Sequence, residues 1–143
     1  MTQEEKSMLL KDLCARLPYL ENWVQFEGKD YIITGYGHGR VSLLPSPFSS
    51  AVGPCPLIEE VKPYLRPMSS MTEEEVKEIQ KINWQFGKSK SGECYVGDAD
   101  DGYCSVSQMV DILGYLNEHH FDYRGLIEKG LALEAPEGMY KTE

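Results

Sequence analysis

The stretch Val24-Gln25-Phe26-Glu27-Gly28-Lys29-Asp30-Tyr31-Ile32-Ile33-Thr34 decides the fold class. Apolar Val24 and Phe26 alternate with polar Gln25, and a turn containing glycine separates them from the β-branched and aromatic run that starts at Tyr31. Two such runs joined by a short glycine turn predict an antiparallel hairpin. A glycine-rich turn over residues 35–39 then leads to a third strand over residues 41–44. We expect a small antiparallel sheet, for which a partial SH3-like barrel is one arrangement.

Helix signals lie on both sides of this sheet. Thr2, Thr72 and Ser105 are each followed three residues later by Glu or Gln, which is capping-box spacing. The first helix is expected over residues 3–17, the second from Thr72 to about Gly87, and the third from Ser105 to about residue 118. A shorter helix is expected over residues 122–129. The apolar side chains expected to face inward are Leu10, Leu13, Cys14 and Leu17, then Val76, Ile79, Ile82 and Phe86, then Met109, Ile112, Leu113 and Leu116.

Proline shapes the expected domain organisation. Residues 45–67 hold six of the eight prolines. Because proline lacks an amide hydrogen, we expect an irregular surface loop there, with residues 57–61 as a possible edge strand. The chain from about residue 136 onward is expected to be mobile. The sequence therefore predicts one α+β domain over residues 1–143, in which a small sheet packs against about three helices.

Composition restricts the classes of partner. The chain has 143 residues, 41% of them hydrophobic, and a formal net charge of −9. This acidity disfavours direct binding of DNA or RNA, whose phosphates it repels. No window approaches the roughly 20 continuous apolar residues that a membrane helix needs. The opening residues 1–6 are polar and acidic, unlike a secretory signal, so we expect a cytoplasmic protein that does not bind membranes.

No motif in the sequence predicts a cofactor, a metal ion or a catalytic set. Cys14, Cys55, Cys94 and Cys104 form no C-x-x-C pair and fit no zinc spacing, so free thiols are expected. Cys94 and Cys104 would face each other if residues 94–96 and 103–104 form the hairpin that we expect. The acidic turn over residues 98–102 has the third acid one position too early for a calcium-binding loop.

The densest group of titratable side chains is His119, His120 and Asp122. An imidazole beside a carboxylate can act as a base or bind a partner, but adjacent helical histidines point in different directions and seldom share a metal ion. Capping and packing at the helix end is the structural alternative. Tyr64, Arg66, Tyr123 and Arg124 are of the types enriched at interface hot spots, and they also suit a role in pinning loops to the body.

Two segments resemble a known group of proteins. They are Lys62-Pro63-Tyr64-Leu65-Arg66-Pro67-Met68-Ser69-Ser70-Met71-Thr72-Glu73-Glu74-Glu75 and the stretch over residues 119–136, His-His-Phe-Asp-Tyr-Arg-Gly-Leu-Ile-Glu-Lys-Gly-Leu-Ala-Leu-Glu-Ala-Pro. Together with the end of the first helix, they resemble small uncharacterised proteins of gut anaerobes found in prophages and mobile elements. The resemblance covers a third to half of the chain. It implies an intracellular accessory setting and carries over no catalytic residue.

From these observations we expect a non-enzymatic interaction or accessory protein that binds a host or phage protein. The seven residues expected to contact the partner are Tyr64, Arg66, His119, His120, Asp122, Tyr123 and Arg124. One alternative is a small-molecule-binding protein or enzyme with a pocket formed by His119, His120 and Asp122. A second alternative is an acidic inhibitor of a nucleic-acid-binding protein, which would need a continuous negative face.

Overall fold

The computed structural model describes residues 1–19, 21–46, 53–89, 93–96 and 104–140. Within these residues the chain forms three α-helices and eight β-strands, which confirms the α+β class. The helices are α1 (Gln3–Arg16), α2 (Glu73–Gln80) and α3 (Val106–Glu118). The strands are β1 (Trp23–Phe26), β2 (Lys29–Gly37), β3 (Arg40–Leu44), β4 (Lys62–Pro67), β5 (Phe86–Lys88), β6 (Cys94–Val96), β7 (Phe121–Asp122) and β8 (Leu133–Glu134).

The main sheet is mixed rather than antiparallel. Its strand order is β3-β2-β1-β4, and the antiparallel part ends at the β1–β4 pair. Strand β4 also pairs in parallel with two short strands, β7 through Arg66 and Pro67 and β8 through Tyr64 and Leu65. Strands β5 and β6 form a separate two-stranded sheet, and the described strands do not close into an SH3-like barrel.

The two hairpin turns explain why the β1–β3 meander was predictable. Glu27 and Gly28 have φ angles of 51° and 77°, and His38 and Gly39 have φ angles of 54° and 78°. Two-residue turns with positive φ at both positions match the right-handed twist of the strands that they join. The first turn contains two residues, where the sequence predicted four between Phe26 and Tyr31. Residues 35–37 belong to β2 and not to the second turn, which was expected over residues 35–39.

The proline-rich stretch contains a central strand over residues 62–67, and residues 57–61 do not form the expected edge strand; residues 47–52 of the expected loop lie outside the described part. Residues Ile58–Glu60 form a single 3-10 turn, and the strand is β4. Pro63 and Pro67 lie near its two ends, which leaves the amides of residues 64–66 free to donate. The amide of Arg66 donates to the carbonyl of His120 at 2.7 Å. Prolines at strand ends therefore do not prevent pairing on both sides.

Helix α1 buries a different face from the expected one. Its capping box between Thr2 and Glu5 is present, but the fully buried side chains are Leu9, Asp12, Leu13 and Arg16. Cys14 is exposed, and Leu10 and Leu17 are half-buried. The helix is rotated relative to the predicted orientation because the ion pair between Asp12 and Arg16 occupies its inward face. Hydrophobic periodicity cannot predict a buried ion pair.

Helix α2 ends earlier than expected. Its capping box between Thr72 and Glu75 is present, but the helix stops at Gln80, and Phe86 lies in β5. The side-chain oxygen of Asn83 accepts from the amide of Gln85 at 2.9 Å, a local bond that competes with helix continuation. Strand β6 pairs with β5, which the sequence did not predict; the expected hairpin of residues 94–96 with 103–104 includes residues 97–103, which lie outside the described part.

The C-terminal third also differs from the expectation. Helix α3 begins at its Ser105–Gln108 capping box and buries Ile112 and Leu116, but Met109 is exposed. The segment expected as a helix over residues 122–129 forms β7 and turns, because the carboxylate of Asp122 accepts from the amides of Leu126 and Ile127. In the tail expected to be mobile from residue 136, Tyr140 is buried, and residues 141–143 lie outside the described part.

All four cysteines are free, and both Cys14 and Cys55 are exposed, so a core position for Cys14 was wrong. Cys94 and Cys104 are half-buried, and burial raises the pKa of the Cys94 thiol. No helix in the described part of the chain has the length and apolar character needed to cross a membrane.

We predict that Arg16→Met destabilises the protein strongly. The substitution leaves Asp12 buried without its main counter-charge, because the Arg16 Nε lies 2.8 Å from the Asp12 Oδ2 inside the fold. Breaking a buried ion pair on one side lowers the free energy of unfolding by about 3–5 kcal/mol. Urea unfolding at pH 7 measures this loss.

Lys81→Met is the matched control, because Lys81 and Glu78 form an ion pair with 71% and 54% of their side chains exposed. It should lower the free energy of unfolding by less than about 1 kcal/mol. Equal losses in the two variants would show that the Asp12–Arg16 pair does not stabilise the fold.

Candidate functional site

Arg66, one of the expected partner-binding residues, is buried in an internal ion pair. Its two terminal nitrogens lie 2.6 and 2.7 Å from the two carboxylate oxygens of Glu75, and its guanidinium stacks 4.1 Å over the ring of Phe121. Burial raises the pKa of Glu75, but the hydrogen bonds from Arg66 and Thr72 outweigh this effect and keep the pKa below its usual value. Arg66 therefore ties β4 to α2 and β7.

A second buried guanidinium also contacts β7. Arg16 binds Asp12 through Nε and Nη2 and donates a 2.6 Å hydrogen bond from Nη2 to the carbonyl of Phe121. The Nε of Arg124 lies 3.2 Å from the same Asp12 carboxylate, and the guanidinium of Arg124 lies over the ring of Tyr123. Arg124 and Tyr123, both expected at an interface, are half-buried parts of this network.

Tyr64 and Asp122 also make internal contacts. The hydroxyl of Tyr64 donates to Asp30 at 2.7 Å, and burial together with this carboxylate raises the pKa of Tyr64. Asp122 accepts two backbone amides of the following turn. Of the seven residues expected to contact a partner, these two, together with Arg66 and His120, are buried in the described structure.

His119 and His120 follow the last residue of α3, and their side chains lie in different environments. His119 stacks on Tyr115 with ring centroids 4.1 Å apart, and its Nδ1 lies 3.9 Å from a carboxylate oxygen of Glu75. His120 is only 7% exposed and stacks on Tyr140 with centroids 3.7 Å apart. Burial and the nearby positive charge of Arg16 lower the pKa of His120 to about 3, so its ring is neutral near pH 7.

Both imidazoles line one cleft of about 480 Å³ between the end of α1 and the end of α3. Asp122 is not among its lining residues, so the expected trio does not share this cleft. The lining residues are Pro18, Tyr19, Glu21, Glu118, His119, His120 and Tyr140. Tyr140 reaches the cleft because its hydroxyl donates to the carbonyl of Tyr64 and accepts from the amide of Trp23.

Sequence reasoning missed Tyr19, Glu21, Glu118 and Tyr140 as neighbours of the histidines. Tyr19 and Glu21 follow α1, more than 90 positions before His119 in the chain, and no local pattern relates the two segments. The only local signal was the position of Glu118 next to His119. The described residues contain no cluster of three His, Cys, Asp or Glu side chains suited to a metal ion.

A second surface feature lies at the start of α3. Val106, Met109 and Val110 share one helix face at i, i+3 and i+4 spacing, and 83% of Val106 and 62% of Val110 is exposed. Trp84 is 78% exposed in the turn before β5. We refer to Trp84, Val106, Met109 and Val110 as the α3 face.

Hydrogen bonds join the Trp84 turn to α3 through Gln108, which lies on a different side of the helix from Val106 and Val110. Gln108 accepts from the side chain of Asn83 at 3.3 Å and donates to the carbonyl of Ile82 at 3.1 Å, so the Trp84 turn lies against the first turn of α3. The helical spacing of Val106, Met109 and Val110 was visible in the sequence. The sequence did not show that these side chains are exposed, because the spacing of Met109 also allows it to face inward with Ile112 and Leu116.

Comparisons with protein-family models, curated proteins and solved structures found no match to this chain.

We predict that His120 makes the fold sensitive to mild acid. Its pKa is about 3 in the folded protein and near 6.5 in the unfolded chain, so the unfolded chain takes up the proton first as pH falls. The free energy of unfolding is therefore unaffected by His120 above pH 6.5. It decreases as pH falls from 6.5 toward 3, by up to about 1.4 kcal/mol per pH unit. Urea unfolding at pH 7.0, 6.0 and 5.5 should therefore show decreasing stability.

His120→Asn should remove most of this pH dependence, because asparagine does not titrate and tolerates the φ of 66° at this position. His38→Asn is the matched control, since His38 is exposed and also has positive φ, at 54°. If His120→Asn and the unsubstituted protein lose the same stability between pH 7.0 and 5.5, a depressed pKa at His120 is refuted.

Proposed function

We propose that this protein is a non-enzymatic interaction protein that binds another protein through the α3 face. The observation that carries the proposal is the exposure of Trp84, Val106 and Val110 at the surface of one ordered helix and its adjoining turn. Aromatic residues and methionine are enriched at protein–protein interfaces, and exposed apolar side chains that share one helix face, as Val106, Met109 and Val110 do, are typical of interaction sites.

The distribution of charged residues also supports the α3 face as the binding surface. The chain carries a net charge of −9, yet the helix segment from Ser105 to Val110 has no charged side chain. A protein partner that docks there buries apolar area without removing a carboxylate from water, which is the costly step in association with an acidic surface.

The seven residues first expected at the interface serve this proposal only indirectly. Tyr123 donates to Asn117 near the end of α3, and Arg66 stacks on Phe121 of β7, so these contacts support the C-terminal end of the helix. A preorganised surface loses less conformational entropy on binding. The resemblance to proteins of prophages and mobile elements favours a host or phage protein as the partner.

We predict that a photo-crosslinking amino acid at position 84 captures a discrete protein from the native host. The same amino acid at position 34 is the control, because Thr34 is exposed on β2. Val106→Ser combined with Val110→Ser should reduce capture from position 84 at least tenfold. Because both valines are exposed, the double variant should change the free energy of unfolding by less than about 1 kcal/mol.

Lys11→Ser combined with Lys62→Ser, two exposed positions on α1 and β4, should leave capture from position 84 unchanged. The proposal fails if position 34 captures the same proteins as position 84, or if the valine substitutions leave capture intact. Mass spectrometry of the crosslinked bands identifies the partner and the contacted peptide.

A further inference from the structure

We propose that the C-terminal tail detaches from the body, and that the slot filled by Tyr140 then binds a tyrosine side chain of another protein. The tail is the segment from β8 to Tyr140, residues 134–140. The slot is formed by the ring of His120, the amide of Trp23 and the carbonyl of Tyr64. This inference does not depend on the α3 face or on the partner proposed for it.

Tyr140 makes the contacts of a bound phenol. Its ring lies almost parallel to the ring of His120, with centroids 3.7 Å apart and an angle of 11° between the two planes. Its hydroxyl donates to the carbonyl of Tyr64 at 2.9 Å and accepts from the amide of Trp23 at 3.1 Å. Burial raises the pKa of this hydroxyl, so the group stays protonated and can donate.

The slot distinguishes tyrosine from phenylalanine through the end of the β1–β4 ladder. Continuing the register from the Val24–Pro63 pair places Trp23 opposite Tyr64, so the hydroxyl of Tyr140 bridges these two residues. A ring without a hydroxyl would leave the Trp23 amide and the Tyr64 carbonyl without this partner. A site that hydrogen-bonds a hydroxyl discriminates strongly against a ligand that lacks one.

The residues between β8 and Tyr140 have few attachments to the body. Pro136, Glu137 and Gly138 are exposed. In the part of the chain that the structure describes, residues 136–139 make one hydrogen bond, from the amide of Met139 to the carbonyl of Pro136, which is internal to the tail. Gly138 has a φ of 83°, which suits the third position of this tight turn. Undocking of Tyr140 therefore leaves the pairing of β8 intact.

Tyr140 also lines two clefts. One is the cleft of about 480 Å³ between the ends of α1 and α3. The other has a volume of about 680 Å³, and tail residues 134–138 line it together with residues that follow or end β4, namely Arg66, Pro67, Ser70 and Thr72. Because Tyr140 belongs to both linings, its departure opens a path between the clefts past the ring of His120. This path gives room for the residues on either side of a bound tyrosine.

Tethering explains why the chain's own tail fills the slot. A segment joined to its site by a short linker has an effective concentration on the order of millimolar. A tyrosine of another protein therefore enters only when its affinity or its local concentration exceeds that of the tail. The tail thus sets a threshold for binding at the slot.

Detachment is tested by hydrogen exchange of the full-length protein, followed by amide NMR at pH 7. The Trp23 amide reports the tail because it donates to Tyr140, and the Ile33 amide reports the sheet because it donates to the carbonyl of Asn22. The protection factor of Trp23 should be at least tenfold lower than that of Ile33. Low concentrations of urea should speed the exchange of Ile33 more than that of Trp23, because local opening exposes little surface.

Tyr140→Phe keeps the ring and removes the hydroxyl. It should raise the exchange rate of Trp23 at least tenfold and that of Ile33 by a smaller factor. Equal protection factors with equal urea dependence for the two amides would show that the tail opens only when the protein unfolds, and would overturn the proposal.

Recognition is tested with full-length Tyr140→Ala, in which the slot is empty, and an acetylated peptide of residues 136–143, Pro-Glu-Gly-Met-Tyr-Lys-Thr-Glu. The peptide should shift the amides of Trp23 and His120 saturably. It should bind the unsubstituted protein at least tenfold more weakly, because the tail competes. The same peptide with phenylalanine in place of its tyrosine should bind Tyr140→Ala at least tenfold more weakly.

Tyr36→Ala is the matched control, since Tyr36 is a half-buried tyrosine on β2, and it should not gain binding of the peptide. The proposal fails if Tyr140→Ala does not fold, because a detachable tail is not needed for folding. It also fails if the peptide gives no saturable shift, or if the tyrosine and phenylalanine peptides bind Tyr140→Ala equally.

Discussion

Two buried guanidinium groups contact the same residue, Phe121 of β7, and the rest of the fold is arranged around them. Arg16 reaches from α1 to the carbonyl of Phe121, while Arg66 stacks on the Phe121 ring and pairs with Glu75 of α2. A charge taken out of water must be paired in good geometry, or it costs several kcal/mol. This requirement fixes α1, α2 and β4 against β7, and with them the position where α3 ends.

This arrangement changes which residues are available for recognition. Residues such as Arg66 and Asp122 have the chemistry of an interface, but their hydrogen-bonding capacity is used inside the molecule. The exposed candidate for protein binding is elsewhere, on the uncharged apolar face at the start of α3. Most of this face belongs to α3, whose C-terminal end is held by the hydrogen bond between Tyr123 and Asn117.

The candidate cleft could be predicted only in part. His119 and His120 were recognisable as a titratable pair, and capping and packing were the expected structural role. The contribution of Tyr140 was not recognisable, because it depends on hydrogen bonds to Tyr64 and Trp23, which lie 76 and 117 positions away. The same limit applies to Asp122, whose carboxylate forms a local turn where side-chain periodicity alone favours a short helix.

Sequence alone determined the features that short-range physics controls. The capping boxes at Thr2, Thr72 and Ser105 start the helices, and two tight turns define the β1–β3 meander, because each depends on residues within a few positions. Tertiary structure decided the inward face of α1, the central position of β4 despite its prolines, and the parallel strands β7 and β8. These depend on pairing buried charges and amides across long chain separations, and no local pattern encodes that pairing.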